Sequence, residues 1–161
     1  MPEHGEKLVG QVASAKREEL VTDLFAINAI GNALPPIYVS LGLFRQYLEQ
    51  LINNTNYTKD HPTLLILDNH ESHVDVEIII KAKEMGVIML TFLLHYSHRL
   101  QPLDVSVFAP FKCQYNRIYN DWLLVHPGKT ISIYCISELV GQAYPLAVTQ
   151  NNILSGFRKT G

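Results

Sequence analysis

The sequence predicts an α/β domain with a helical C-terminal part, and three observations predict it. Four apolar residues, Leu64 to Leu67, form a run too short for a buried helix and suited to a strand covered on both faces, closed by Asp68. Val87 to Leu90 is a second such run. Between them, Val74 to Met85 sets Val76, Ile79, Ile80 and Ala82 on one side and Lys81, Lys83 and Glu84 elsewhere, a helical pattern that Gly86 ends as a C′ glycine. Strand, helix, strand in this order is a βαβ unit with a right-handed crossover. The two strands are therefore parallel, and their carboxyl ends lie where open α/β sheets place their ligands.

Bulk composition agrees with a single globular domain spanning residues 1–161. Of 161 residues 47% are apolar and 17% charged, enough to bury a core. Thirteen Lys and Arg against fifteen Asp and Glu leave a net charge of −2, so any DNA contact needs a local basic patch. Cys113 and Cys135 have neither zinc nor redox spacing and suit a reducing interior. The longest apolar run, Val87 to Leu94 broken by Thr91, is less than half a bilayer span, and no membrane association is expected. The polar start M-P-E-H-G-E-K has no secretory h-region, so an intracellular protein is expected.

Taken in order, Val9 to Val12 reads as a short strand before the charged turn Lys16 to Glu19. Leu20 to Ile30 is β-branched and apolar, and a two-residue Gly31-Asn32 turn makes it a hairpin with the segment through Val39. Pro35 and Pro36 then belong on an edge strand, where a missing donor does least harm. Leu41, Phe44, Tyr47, Leu48, Leu51 and Ile52 share one helical face, which Asn53 to Asn56 ends. After the βαβ unit, the loop Leu93 to Asp104 is a dense polar cluster, with Pro102 near a helix start and Asp104 in the first turn. Val105 to Val125 is mostly helical; Val107, Phe108, Phe111, Tyr115, Ile118, Tyr119 and Trp122 form a broad face, and Pro110 is absorbed early or kinks it. Thr130 or Ser132 caps a helix through about Ala143, and Pro145 begins another over Leu146 to Ile153.

Three stretches in this order, L-L-I-L-D-N-H-E-S-H (64–73), S-H-R-L-Q-P-L-D-V-S-V-F (97–108) and G-F-R-K-T-G (156–161), resemble the DDE endonuclease domain of pogo and Tigger-type transposases. Jerky-like and centromere-protein-B-like proteins are domesticated relatives. G-E-K-L-V-G-Q-V, E-L-V-T-D-L-F-A-I-N-A-I-G-N and L-P-P-I-Y-V extend the likeness over nearly the whole chain. The resemblance implies a ribonuclease-H-like mixed sheet flanked by helices, in which three carboxylates hold two divalent ions for phosphodiester hydrolysis and strand transfer. By motif match Asp68 is the second acid and Asp104 the third. Both are hard oxygen ligands suited to Mg²⁺ or Mn²⁺. The resemblance further implies a nuclear, DNA-associated protein, with His98, Arg99 and Lys112 as candidates for phosphate contact.

The sequence departs from that pattern in several places. The family's first acid lies on an opening strand upstream of the residues matching Gly5 to Val12, so an N-terminally truncated domain is expected. Asp23 and Glu71 are the nearest replacements, but Asp23 stands where the family has an apolar residue. The segment after Val39 is short, Leu93-Leu94 replaces a proline pair, and the helix-turn-helix modules that precede the family's domain are not expected. The expectation is a nucleic-acid-binding domain that does not cleave DNA and holds metal weakly or not at all. An active nuclease with the acid supplied elsewhere, and a plain protein-interaction module, are the alternatives. The missing strand belongs between Leu20–Ile30 and Thr63–Asp68, so two unpaired edges are expected, closed by direct pairing, self-association or a protein partner.

Other residues invite chemistry less specifically. His70 and His73 are not in the H-E-x-x-H arrangement of a zinc protease and suit capping or hydrogen bonding. Ser72 and Ser97 lie near histidines without a G-x-S-x-G elbow. His95 belongs to the loop before Asp104, and Arg158 and Lys159 are surface cations open to phosphate.

Overall fold

The structure, a computed structural model, describes residues 21–40, 44–53, 58–67, 76–92 and 97–161; the side chains at 21–23, 38–40, 97 and 98 lie outside the description. The architecture is α/β, with helices predominating. Strands β1 (Val21–Leu24) and β2 (Ile37–Ser40) form an antiparallel hairpin; helix α1 (Phe44–Asn53) follows. Strand β3 (Thr63–Leu67), helix α2 (Val76–Glu84) and strand β4 (Val87–Thr91) form the expected unit, with β3 and β4 parallel and Thr63 opposite Val87. Then come helix α3 (Ser97–Leu100), a π-helical turn (Leu103–Val107), and helices α4 (Phe108–Val125), α5 (Ile133–Ala147) and α6 (Gln150–Thr160).

The strands do not join one mixed sheet: among the described residues they make two separate two-stranded sheets, with β1 and β3 unpaired to each other. Both outward edges expected from the sequence are therefore without a strand among the described residues. The hairpin instead buries Phe25 in the helical part, with its ring 4.9 Å edge-on from those of both Phe111 and Tyr144. Tyr144 donates its hydroxyl to the carbonyl of Leu34, a second tie between α5 and the hairpin.

The hairpin turn differs from the Gly31-Asn32 expectation. Asn28 and Asn32 pair through the Asn28 amide and the Asn32 carbonyl at 2.9 Å, leaving Ala29, Ile30 and Gly31 as a three-residue loop, with Gly31 at φ 93°. Three-residue hairpins place their left-handed residue at this point. Leu24 faces Ile37, whereas Leu34 donates to Ala26, so one residue more lies on the second arm, at Pro35-Pro36. The prolines thus occupy a bulge, where no ladder donor is needed.

The core has two parts. One gathers Phe44, Tyr47, Leu48, Leu51 and Ile52 of α1 with Leu67, Ile78, Ala82 and Val87, so the face read for α1 is the buried one; Leu41 lies outside the described residues. The other gathers Phe25, Leu103, Val107 and Ile153. On α2 the expected face is corrected: Ile78 and Ala82 are buried, whereas Val76, Ile79 and Ile80 are exposed. The helix is apolar on several sides, so counting apolar residues did not identify the side that meets the core. Gly86 ends α2 at φ 81° as expected, its backbone lying against Thr58 so closely that a Cβ would overlap the Thr58 carbonyl.

The C-terminal helices shift one expected boundary. Ser132 caps α5, accepting from the Cys135 amide at 3.4 Å, but α5 runs through Pro145 to Ala147. Pro145 and Gly141, whose carbonyl loses its donor there, are both exposed to water, which lowers the cost of the missing bond. Thr149, not Pro145, opens α6, accepting from the Asn152 amide at 3.3 Å. Pro110 is absorbed in the first turn of α4, and the aromatic face of that helix is half-buried along its length. Among the described residues no helix is long and apolar enough to cross a membrane.

Candidate functional site

The parallel ladder fixes the carboxyl ends of β3 and β4, the strands that precede the two matched acids in sequence. Leu67, buried at the end of β3, stands opposite Thr91 in β4, and the Phe92 amide donates to the Leu67 carbonyl at 3.1 Å. Leu67 and Phe92, the last described residues at the ends of β3 and β4, thus lie side by side at the carboxyl edge of the unit. Asp68 itself lies outside the described residues, as do His70, Glu71, His73 and His95.

Asp104 is described, and its backbone is unusual. Pro102, with φ −54° and ψ −36°, opens the π-helical turn Leu103–Val107, which closes through the Phe108 amide on the Leu103 carbonyl. Within it, the Val105 amide donates back to the Gln101 carbonyl at 3.1 Å. Single π-turns of this kind recur at functional sites because the extra residue re-aims the side chains around it. Here Leu103 and Val107 are buried against Phe25 and Ile153, which leaves Asp104, Val105 and Ser106 on the half-exposed side.

Two contacts hold this turn against α6. The Ser106 hydroxyl donates to the Asn152 carbonyl at 2.6 Å, with the Pro102 carbonyl 3.1 Å away as a second acceptor. Gly156 faces the same point: a Cβ there would lie 2.5 Å from Ser106 Oγ and 2.6 Å from the Pro102 carbonyl oxygen. Sequence reasoning assigned no role to Ser106, Asn152 or Gly156. A glycine in the last helix was the available signal, and it gains meaning only beside the turn it meets.

Arg99 in α3 and Lys112 in α4 are both exposed and lie on either side of the π-turn in sequence. His98 belongs to α3, with its side chain outside the description. Asp23 sits within β1 opposite Tyr38, in the hairpin and not in the β3–β4 unit. Its side chain is likewise outside the description.

The donor chemistry fits a hard divalent cation in kind, since carboxylate oxygens are what Mg²⁺ and Mn²⁺ take. Among the described residues no group of three or more His, Cys, Asp or Glu side chains comes together. The described part of the site thus contributes one matched carboxylate, Asp104, on a turn fixed from both sides.

Comparison with known proteins bears on this arrangement. The model of the DDE superfamily endonuclease family matches residues 38–157, more than half of the chain. A Cochliobolus lunatus protein named MFS-type transporter clz9 is 36% identical over 98 residues, which are 61% of this chain and 11% of that protein. The chain therefore spans about a ninth of that relative's length. No solved structure matches.

Proposed function

The chain belongs to the DDE superfamily endonuclease family, and from that premise we propose that it is a transposase-derived, nucleic-acid-binding domain of the pogo/Tigger type, acting in the nucleus. The observation that carries this reading is the parallel β3–β4 unit, with Asp68 next in sequence after β3 and the π-turn bearing Asp104 following β4 along the chain. The ribonuclease-H-like ancestry of the sheet belongs to the same proposal, as do the roles that follow.

Asp68 and Asp104 would hold Mg²⁺ or Mn²⁺ through carboxylate oxygens. When bound, such an ion polarises a phosphodiester and lowers the pKa of a water molecule. Support for this reading is that the ladder orders β3 up to Leu67, one residue before Asp68 in sequence, and that Asp104 belongs to the π-turn. Arg99 and Lys112, exposed on the flanking helices, would meet phosphates, and His98, next to Arg99 in sequence, is a third candidate. Two matched acids hold an ion weakly and do not organise the paired ions that in-line displacement uses. DNA binding without cleavage is the expected behaviour of the 161-residue chain.

Incubation with Mn²⁺ and supercoiled plasmid tests this directly. Binding that weakens as salt rises, without nicking, is the expected result. Nicking that disappears in Asp68→Ala would overturn the inactive reading in favour of a competent nuclease, and salt-insensitive or absent DNA binding would leave a protein-interaction module.

One observation favours that last reading as a second role. Leu64, Ile66, Ile88 and Leu90 lie on one face of β3–β4 with exposures of 54, 36, 58 and 49%, although parallel sheets are ordinarily covered on both faces. A protein partner or a second copy covering this sheet is the proposed occupant, and light scattering of the purified chain over a concentration series checks for self-association. The transport activity in the name of the Cochliobolus lunatus relative is not carried over, since the match spans 11% of that protein.

A further inference from the structure

We infer that Gly156 and Ser106 are positioning residues for Asp104, clamping the π-turn onto α6 so that the carboxylate is presented in one place. The inference rests on the reading of Asp104 as a ligand for a divalent cation. Its support is geometric and comes from both sides of the contact. A π-turn carries one residue more than an α-turn and is not self-supporting as a regular helix is. Its fixed form here depends on what it packs against.

Ser106, two residues after Asp104, sends its hydroxyl out of the turn to the Asn152 carbonyl of α6, 2.6 Å away. The same oxygen sits 3.1 Å from the Pro102 carbonyl, so it bridges the start of the turn to the neighbouring helix. Gly156 makes the bridge possible, because any Cβ at that position would collide with Ser106 Oγ and with the Pro102 backbone. The Pro102 carbonyl cannot rotate away without moving the turn, so a larger residue at 156 pushes the whole turn outward. Ile153, between Asn152 and Gly156, packs on Leu103 and Val107 and completes the seat. Groups that orient a metal ligand typically contribute about 10- to 100-fold to metal affinity, and Ser106 and Gly156 would do so through the backbone of the turn, not by touching the carboxylate.

The experiment is Mn²⁺ titration of the ¹⁵N-labelled chain, reading the paramagnetic broadening of the Asp104 amide resonance. The proteins compared are the unaltered chain, Asp104→Asn, Gly156→Ala, Ser106→Ala and Leu48→Ala. Leu48 lies in the other part of the core and controls for lost stability alone. Half-maximal broadening in the unaltered chain, abolished in Asp104→Asn, is expected to need roughly tenfold more Mn²⁺ in Gly156→Ala and Ser106→Ala. Leu48→Ala, measured at a temperature where it is folded, is expected to titrate like the unaltered chain. Should Gly156→Ala fail to fold, Ser106→Ala removes only the hydroxyl and carries the test. An unshifted titration in Ser106→Ala or in a folded Gly156→Ala, with Asp104→Asn still abolishing the effect, overturns the positioning role and leaves the metal reading intact. Equal weakening in Leu48→Ala would also overturn it, because the loss would then follow from stability alone. No broadening at Asp104 in the unaltered chain overturns the metal reading and the inference with it.

Discussion

Leu67 accepts its last ladder bond from Phe92, 3.1 Å away, one residue before Asp68. The strand is thus tied down to its final residue, and its side chains must alternate between the two faces. Leu67 points to the core and Leu64 away from it. Leu67→Ala is expected to lower stability by about 2–5 kcal/mol, the ordinary cost of emptying a buried leucine site. Leu64→Ala is expected to cost about 0.5 kcal/mol or less. Urea melts of the two variants check this; equal losses would mean that the register of β3 is not the one described.

Two glycines make an opposed pair. Gly86 has φ 81° and presses on the Thr58 backbone, so Gly86→Ala meets both a left-handed backbone penalty and a collision. A loss of roughly 2 kcal/mol or more is expected. Gly141 lies within α5 with nothing near the place its Cβ would take. Gly141→Ala is expected to raise stability by about 0.5–1 kcal/mol through helix propensity alone. Thermal melts of both report the difference in sign.

The cap of α5 also governs a thiol. Ser132 Oγ lies 3.2 Å from Cys135 Sγ and accepts from the Cys135 amide. The hydroxyl and the backbone around it hold the Cys135 thiol below its usual range. Ser132→Ala removes both effects: the helix loses a cap, at a cost of about 1 kcal/mol, and the thiolate fraction falls. Alkylation of Cys135 by iodoacetamide at neutral pH, followed by mass spectrometry, is expected to slow in Ser132→Ala; an unchanged rate would mean that the hydroxyl does not stabilise the thiolate.

What could be read from the sequence follows from which forces are local. The α1 face was legible because Phe44, Tyr47, Leu48, Leu51 and Ile52 bury one contiguous stripe, and the β3–α2–β4 order was legible from run length and Gly86. The buried side of α2 was not, because Val76, Ile79 and Ile80 are as apolar as the two residues that do face the core. The run of α5 through Pro145 was missed because a proline in an exposed last turn costs little. At the site, motif order identified the family and pointed to Asp68 and Asp104. It could not reveal the π-turn or the Ser106 bridge, since both depend on α6, which lies far along the chain.

The two core tyrosines give the fold a dependence on alkaline pH. Burial raises the Tyr47 phenol to about 12, with a further push from Tyr144, and burial alone raises Tyr144 to about 12. In the unfolded chain both ionise near the ordinary tyrosine value of 10.0. Between those values the folded state keeps protons that the unfolded state has lost, so stability falls as pH rises through the window. Below pH 10 these groups contribute no slope. Ionising either phenol inside the fold also sets a negative charge beside the other, which steepens the decline. Urea midpoints for the unaltered chain are expected to drop between pH 10 and 12. Tyr47→Phe should flatten that drop. A decline of the same steepness in Tyr47→Phe would assign the alkaline sensitivity to other groups.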